Sequence, residues 1–126
     1  MTPAAAYQSV VTGLRTALHK PTGPGHLRVL DGPADRAERG SVIVGPPVFA
    51  WEGMCDPDEP TSMTVTVYLI EQLGERAIEQ LLTRLPELLV ALAGVHDATI
   101  TAADPGSYPT SGADLPCYRL TAEMTL

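Results

Sequence analysis

Cys117-Tyr118-Arg119-Leu120-Thr121-Ala122-Glu123-Met124-Thr125-Leu126 alternates apolar and polar side chains up to its last residue. Tyr118, Leu120, Ala122, Met124 and Leu126 fall on one face, and Arg119, Thr121, Glu123 and Thr125 on the other. A period of two is that of a β-strand with one buried side. The chain is therefore expected to end inside its own sheet, as a compact module made to be built into something larger.

Residues 63–70 repeat the pattern, with Val65, Val67 and Leu69 alternating with Thr64, Thr66 and Tyr68. Shorter strands are expected at Leu27–Leu30, at 41–44 and around Thr99-Ile100-Thr101. Pro46-Pro47 interrupts the second of these. Proline cannot donate to a ladder, so an edge or bent strand is expected there, with 48–51 as its extension.

Two helices are expected. Thr2-Pro3 is a start signal, because Thr caps free N–H groups and Pro is tolerated at the first helical position. Tyr7, Val10, Val11, Leu14 and Leu18 then recur at helical spacing, His19 and Lys20 suit a C-terminus, and Pro21 stops the helix. The second helix spans 75–93, with Ile78, Leu81, Leu82, Leu85, Leu88, Leu89 and Leu92 on its apolar side and Gly94 as terminator. Pro86 inside it costs roughly 3 kcal/mol. Each large apolar side chain buried yields about 1.5–3 kcal/mol, so a kinked helix or two abutting helices is expected. Beyond Pro86, residues Leu88, Leu89, Val90 and Leu92 make the apolar surface wider than one contact requires, which implies burial on two sides.

Between these elements, 21–25 reads as a rigid turn, 35–40 as a charged hairpin-type connection, and 52–62 as an acidic loop. Residues 104–112 read as a long flexible loop. The fold class is α+β: one domain over 1–126, with a mainly antiparallel sheet of four to five strands and two helices on one face. Thr64, Thr66, Thr99, Thr101, Thr121 and Thr125 stand opposite the apolar positions of three strands. The second sheet face is then either a plain solvated surface or one that docks on a neighbouring copy.

Composition narrows function. A formal charge of -7 with eight scattered basic residues argues against nucleic-acid binding, which needs clustered Lys and Arg. No apolar run approaches the length of a membrane span, and the start lacks a secretion signal. Cys55 and Cys117 have no CxxC spacing; Cys117 is expected to be buried and reduced, folding is placed in the cytoplasm, and pairing of the two stays open.

Chemistry finds little support. His19, His26 and His96 lie in three segments without metal-ligand spacing. The stretch Cys55-Asp56-Pro57-Asp58-Glu59 has carboxylates close together, but two prolines in the loop and no ligand-spaced Gly make a calcium loop untenable, and its acidity raises a thiol pKa. No phosphate-cradling glycine motif or nucleophile elbow occurs. No catalytic, cofactor-binding or metal residues are therefore assigned, and the chain is read as a non-enzyme. Trp51, the single tryptophan, stands beside Phe49 and reads either as a core anchor or as an interface residue.

The arrangement of an amphipathic helix, a strand pair around a Gly/Pro-rich turn and a Thr/Val strand feeding a leucine-rich helix then closes on a distinctive segment. That segment, residues 112–123, reads G-x-x-L-P-C-Y-R-L-T-A-E behind a Tyr-Pro loop. Over nearly its whole length the chain resembles the tail terminator proteins of long-tailed bacteriophages, particularly of actinobacterial hosts; neck or head-completion proteins of the same virions are similar in size. The resemblance implies a ring, usually of six copies, that caps the tail tube and joins it to the head, with DNA passing through the lumen unbound. Its partners are then the tube protein and a neck protein, and its place the virion. A small α/β ligand-binding module with a pocket near Trp51 is the alternative. Interface residues expected from the sequence are Trp51, Phe49, Asp56, Asp58, Glu59, Leu88, Leu89 and Tyr108.

Overall fold

The structure, a computed structural model, describes residues 1–18, 27–31, 41–53 and 56–126. The order of elements is α1 (Pro3–Ala17), β1 (Arg28–Asp31), β2 (Ser41–Val44), β3 (Val48–Ala50), β4 (Ser62–Ile70), α2 (Ala77–Ala93), β5 (Thr99–Pro109) and β6 (Asp114–Thr125). The strands form one six-stranded sheet in the order β1-β2-β4-β6-β5, with β3 also pairing with β4. This is the expected α+β class with one strand more than anticipated.

The closing stretch is an interior strand of that sheet, between β4 and the edge strand β5. β6 pairs antiparallel with β4 from Ser62↔Thr125 to Ile70↔Cys117, and antiparallel with β5 on its other side. Leu120, Ala122 and Met124 face the main core with Val65, Val67 and Leu69 of β4 and Val42 and Val44 of β2. Both helices cover this face: Ala6, Val10, Val11 and Leu14 of α1 and Leu81, Leu88, Ala91 and Leu92 of α2 belong to the same cluster.

α1 begins as its sequence dictates, with the Thr2 hydroxyl accepting from the Ala5 N–H at 3.2 Å and Pro3 in the first turn. The Tyr7 hydroxyl donates to the Val44 carbonyl at 2.7 Å, fixing the helix to β2. The residues expected to end α1, His19 to Pro21, and the 21–25 turn lie outside the described residues.

Two expectations are corrected. Residues 104–109 are not loop: they complete β5, an eleven-residue edge strand paired with β6 as far as Pro109↔Asp114. Pro105 and Pro109 are tolerated because an edge strand need not donate on its open side. β1 and β2 run parallel, from Arg28↔Ser41 to Asp31↔Val44, so their connection is not a hairpin. A hairpin joins antiparallel neighbours only. Residues 35–40 themselves lie outside the described residues. Other expectations hold: α2 starts at Ala77, two residues later than expected, and runs through Pro86 as one helix and not as two abutting ones. Gly94 ends it as expected, in the right-handed region, and the left-handed backbone falls on His96 (φ 49°) and Asp97 (φ 50°).

The Pro46-Pro47 interruption behaves as a bend. The chain leaves β4 after Val44↔Val67 and rejoins it at Val48↔Thr64, so β2 and β3 share one neighbour.

Candidate functional site

Three surfaces stand out once the core is removed from consideration. The first is the solvent side of α2. Successive helical residues are 100° apart, so adjacent leucines cannot both face the sheet. Leu81, Leu88 and Leu92 are fully buried, Leu85 and Leu89 are half-buried, and Ile78 (54 % exposed), Leu82 (49 %) and Val90 (76 %) face outward. With exposed Pro86 they repeat at i, i+4, i+8 and i+12, one apolar ridge along the helix. The sequence-based expectation of an apolar surface wider than one contact is met, but through Ile78, Leu82 and Val90. Leu88, expected at the interface, is a core residue.

The second is the outer face of the sheet. Thr64, Thr66, Thr121 and Thr125 stand there, with Thr99 facing Glu123 across β5 and β6. Thr101 sits at the register shift between Ile100 and Ala102, where its hydroxyl donates to the Thr121 carbonyl at 3.3 Å. A shallow pocket of about 310 Å³ is lined by Ser62, Thr64, Thr99, Glu123 and Thr125 together with Met63 and Met124. Toward the other end of this face lies a small apolar cluster of Ile43, Ile70, Tyr108 and Cys117. Tyr108 packs edge-on to Tyr68 with ring centroids 5.3 Å apart and is only 9 % exposed, so it is a packing residue. Burial pushes the Cys117 thiol up from its ordinary value, against a smaller downward pull from Arg119. That is the environment of an inert thiol.

The third is the end of the β3–β4 hairpin. The Thr61 N–H donates to the Ala50 carbonyl at 2.9 Å, closing a loop that holds exposed Glu52, Asp56, Asp58 and Glu59. Trp51 (44 % exposed) leans on half-buried Phe49 with centroids 6.4 Å apart, and Val48 beside them is 68 % exposed. The N-terminal ammonium of Met1 reaches Glu59 at 3.5 Å. These are the expected interface residues Phe49, Trp51, Asp56, Asp58 and Glu59, and the fold gathers them in one hairpin.

Two polar contacts were not read from the sequence. Arg84 of α2 reaches Glu71, just past β4, at 3.4 Å, both side chains nearly enclosed. Their signal was phase: Glu71 continues the inward positions of β4, and Arg84 falls between Leu81 and Leu88. His96 Nε2 lies 2.6 Å from the Ser9 hydroxyl, which also lies 2.7 Å from the Ala6 carbonyl. With that carbonyl as the acceptor of its one proton, Ser9 is held as a helix tether.

A further cleft of about 360 Å³ at the start of α2 is lined by Glu71, Gln72, Leu73, Gly74, Glu75, Arg76, Ala77 and Gln80. Neither cleft is lined by Trp51. Among the described residues no three His, Cys, Asp or Glu side chains are grouped to hold a metal ion. His19, His26 and Cys55 lie outside the described residues. Among those residues, too, no helix is long and apolar enough to cross a membrane. No protein-family profile matches this chain, and no curated protein matches it either.

Proposed function

We propose that this chain is a structural assembly protein of a phage virion, a tail terminator that caps the tail tube as an oligomeric ring and joins tail to head. The observation that carries this reading is the exposed apolar ridge of Ile78, Leu82 and Val90 on α2, set on the opposite side of the sheet layer from the threonine-bearing face. A closed ring needs two unlike surfaces that match head to tail, one contributed by each neighbour. Threonines on a pleated face carry little desolvation cost, and an apolar ridge gains by covering. The acidic balance of the chain (-7) suits a lumen through which DNA slides without capture.

The test is co-expression with a tail tube protein, followed by native mass measurement and negative-stain imaging. Rings on tube ends are expected, and Leu82→Glu should abolish them while the chain stays folded. Small particles that never associate with tubes would remove the reading.

A further inference from the structure

The β3–β4 hairpin end combines features that neither ring-forming surface uses. Trp51 presents its indole to solvent while half-buried Phe49 supports it from the core side. The loop that follows carries Glu52, Asp56, Asp58 and Glu59, all exposed, and no Lys or Arg occurs between Arg39 and Arg76. The Asp58 N–H donates to the Asp56 carboxylate at 2.9 Å, which holds the tip of the loop in a turn. Among the described residues no three His, Cys, Asp or Glu side chains group there to hold a metal ion.

We infer that this hairpin end is a docking surface for a segment of a partner protein in which Lys or Arg side chains flank an apolar one. Two separate attractions select the same chemistry. An exposed indole face draws a guanidinium or ammonium by its quadrupole. The carboxylate field draws the same cations from farther away and speeds their encounter. The apolar residue of the segment gains by covering Trp51, so that a rim of charge surrounds an aromatic anchor. A second copy meeting it hairpin to hairpin is the wrong occupant, because its own hairpin end is equally acidic. The inference adds the chemistry of a partner to the assembly reading, and it is read on the isolated chain whether or not a ring forms.

The probe is a labelled hexapeptide alternating Arg and Leu, with a Glu-for-Arg counterpart as reference. Binding is followed by anisotropy and by the emission of Trp51, the only tryptophan. Saturable binding of the Arg peptide is expected, weakening with salt and accompanied by a change in Trp51 emission. Trp51→Ala and the double change Asp56→Lys with Asp58→Lys should each weaken it by about tenfold. A charge-matched control, Glu75→Lys with Asp114→Lys, should leave it within about twofold, and thermal melts confirm that all variants fold. Equal loss in the control would mean diffuse charge attraction and overturn the inference. So would saturation without any change in Trp51 emission, or no preference over the Glu peptide.

Discussion

Arg84 Nη1 and Glu71 Oε2 stand 3.4 Å apart with only 12 % and 2 % of their side chains exposed, joining the middle of α2 to the end of β4. The Glu71 carboxylate also accepts from the Gln72 N–H at 3.1 Å, so it turns the chain out of the sheet while it anchors the helix. Removing Arg84 leaves the Glu71 carboxylate in the interior without this cation. Arg84→Ala is expected to destabilise the fold by about 3 kcal/mol, read as a lower urea midpoint at unchanged slope. Replacing both residues by leucine should recover most of that loss, since apolar substitutes for a buried pair are often neutral.

Leu88 and Val90 lie two residues apart on α2 yet belong to different environments, at 0 % and 76 % exposure. Leu88→Ala should cost about 2–5 kcal/mol through the cavity it leaves. Val90→Ala should stay within about 0.5 kcal/mol in the isolated chain. If Val90→Ala nevertheless reduces ring yield with the tube protein, the ridge is a contact surface; equal yields would place the contact elsewhere.

Asp97 follows His96 in the left-handed region, where branched side chains are strained. Asp97→Val is expected to destabilise by about 1–2 kcal/mol, whereas Asp97→Gly should be neutral or slightly stabilising. Thermal melts of the two variants give the comparison directly.

The Cys117 thiol gives a pH signature. Its folded pKa is raised by burial, so the neutral form is the one the fold favours. Below the unfolded pKa both states are protonated and stability is at its full value. As pH climbs past about 8.5 the unfolded chain loses its proton first, and stability falls until the folded pKa is passed. In a Cys55→Ser background, Cys117 should resist Ellman's reagent when folded and react in urea. Cys117→Ala should flatten the alkaline decline in stability.

The sequence was legible where one face of an element is buried. β4 and β6 announce themselves because Val65, Val67, Leu69, Leu120, Ala122 and Met124 alternate with polar positions across a long pairing. β5 hid because an edge strand buries little: between Ala103 and Pro109 only Tyr108 is buried, and Asp, Pro, Gly and Ser there mimic a loop. The parallel pairing of β1 with β2 left no trace, since side-chain pattern carries no strand direction. On α2 the crowded leucines blur the helical phase, so the sequence pattern does not separate buried Leu88 from outward-facing Ile78. The hairpin-end residues were read one by one, from an exposed position inferred beside prolines and acids; their meeting in one place is a property of the β3–β4 turn.

Pro105 and Pro109 sit on the outermost strand, where a backbone with intact donors would invite another molecule to add itself. Neither proline has an amide hydrogen to offer, so the rim of the sheet is a poor template for growth. Copies crowded together at high concentration would therefore meet through side chains instead of zipping edge to edge into fibres.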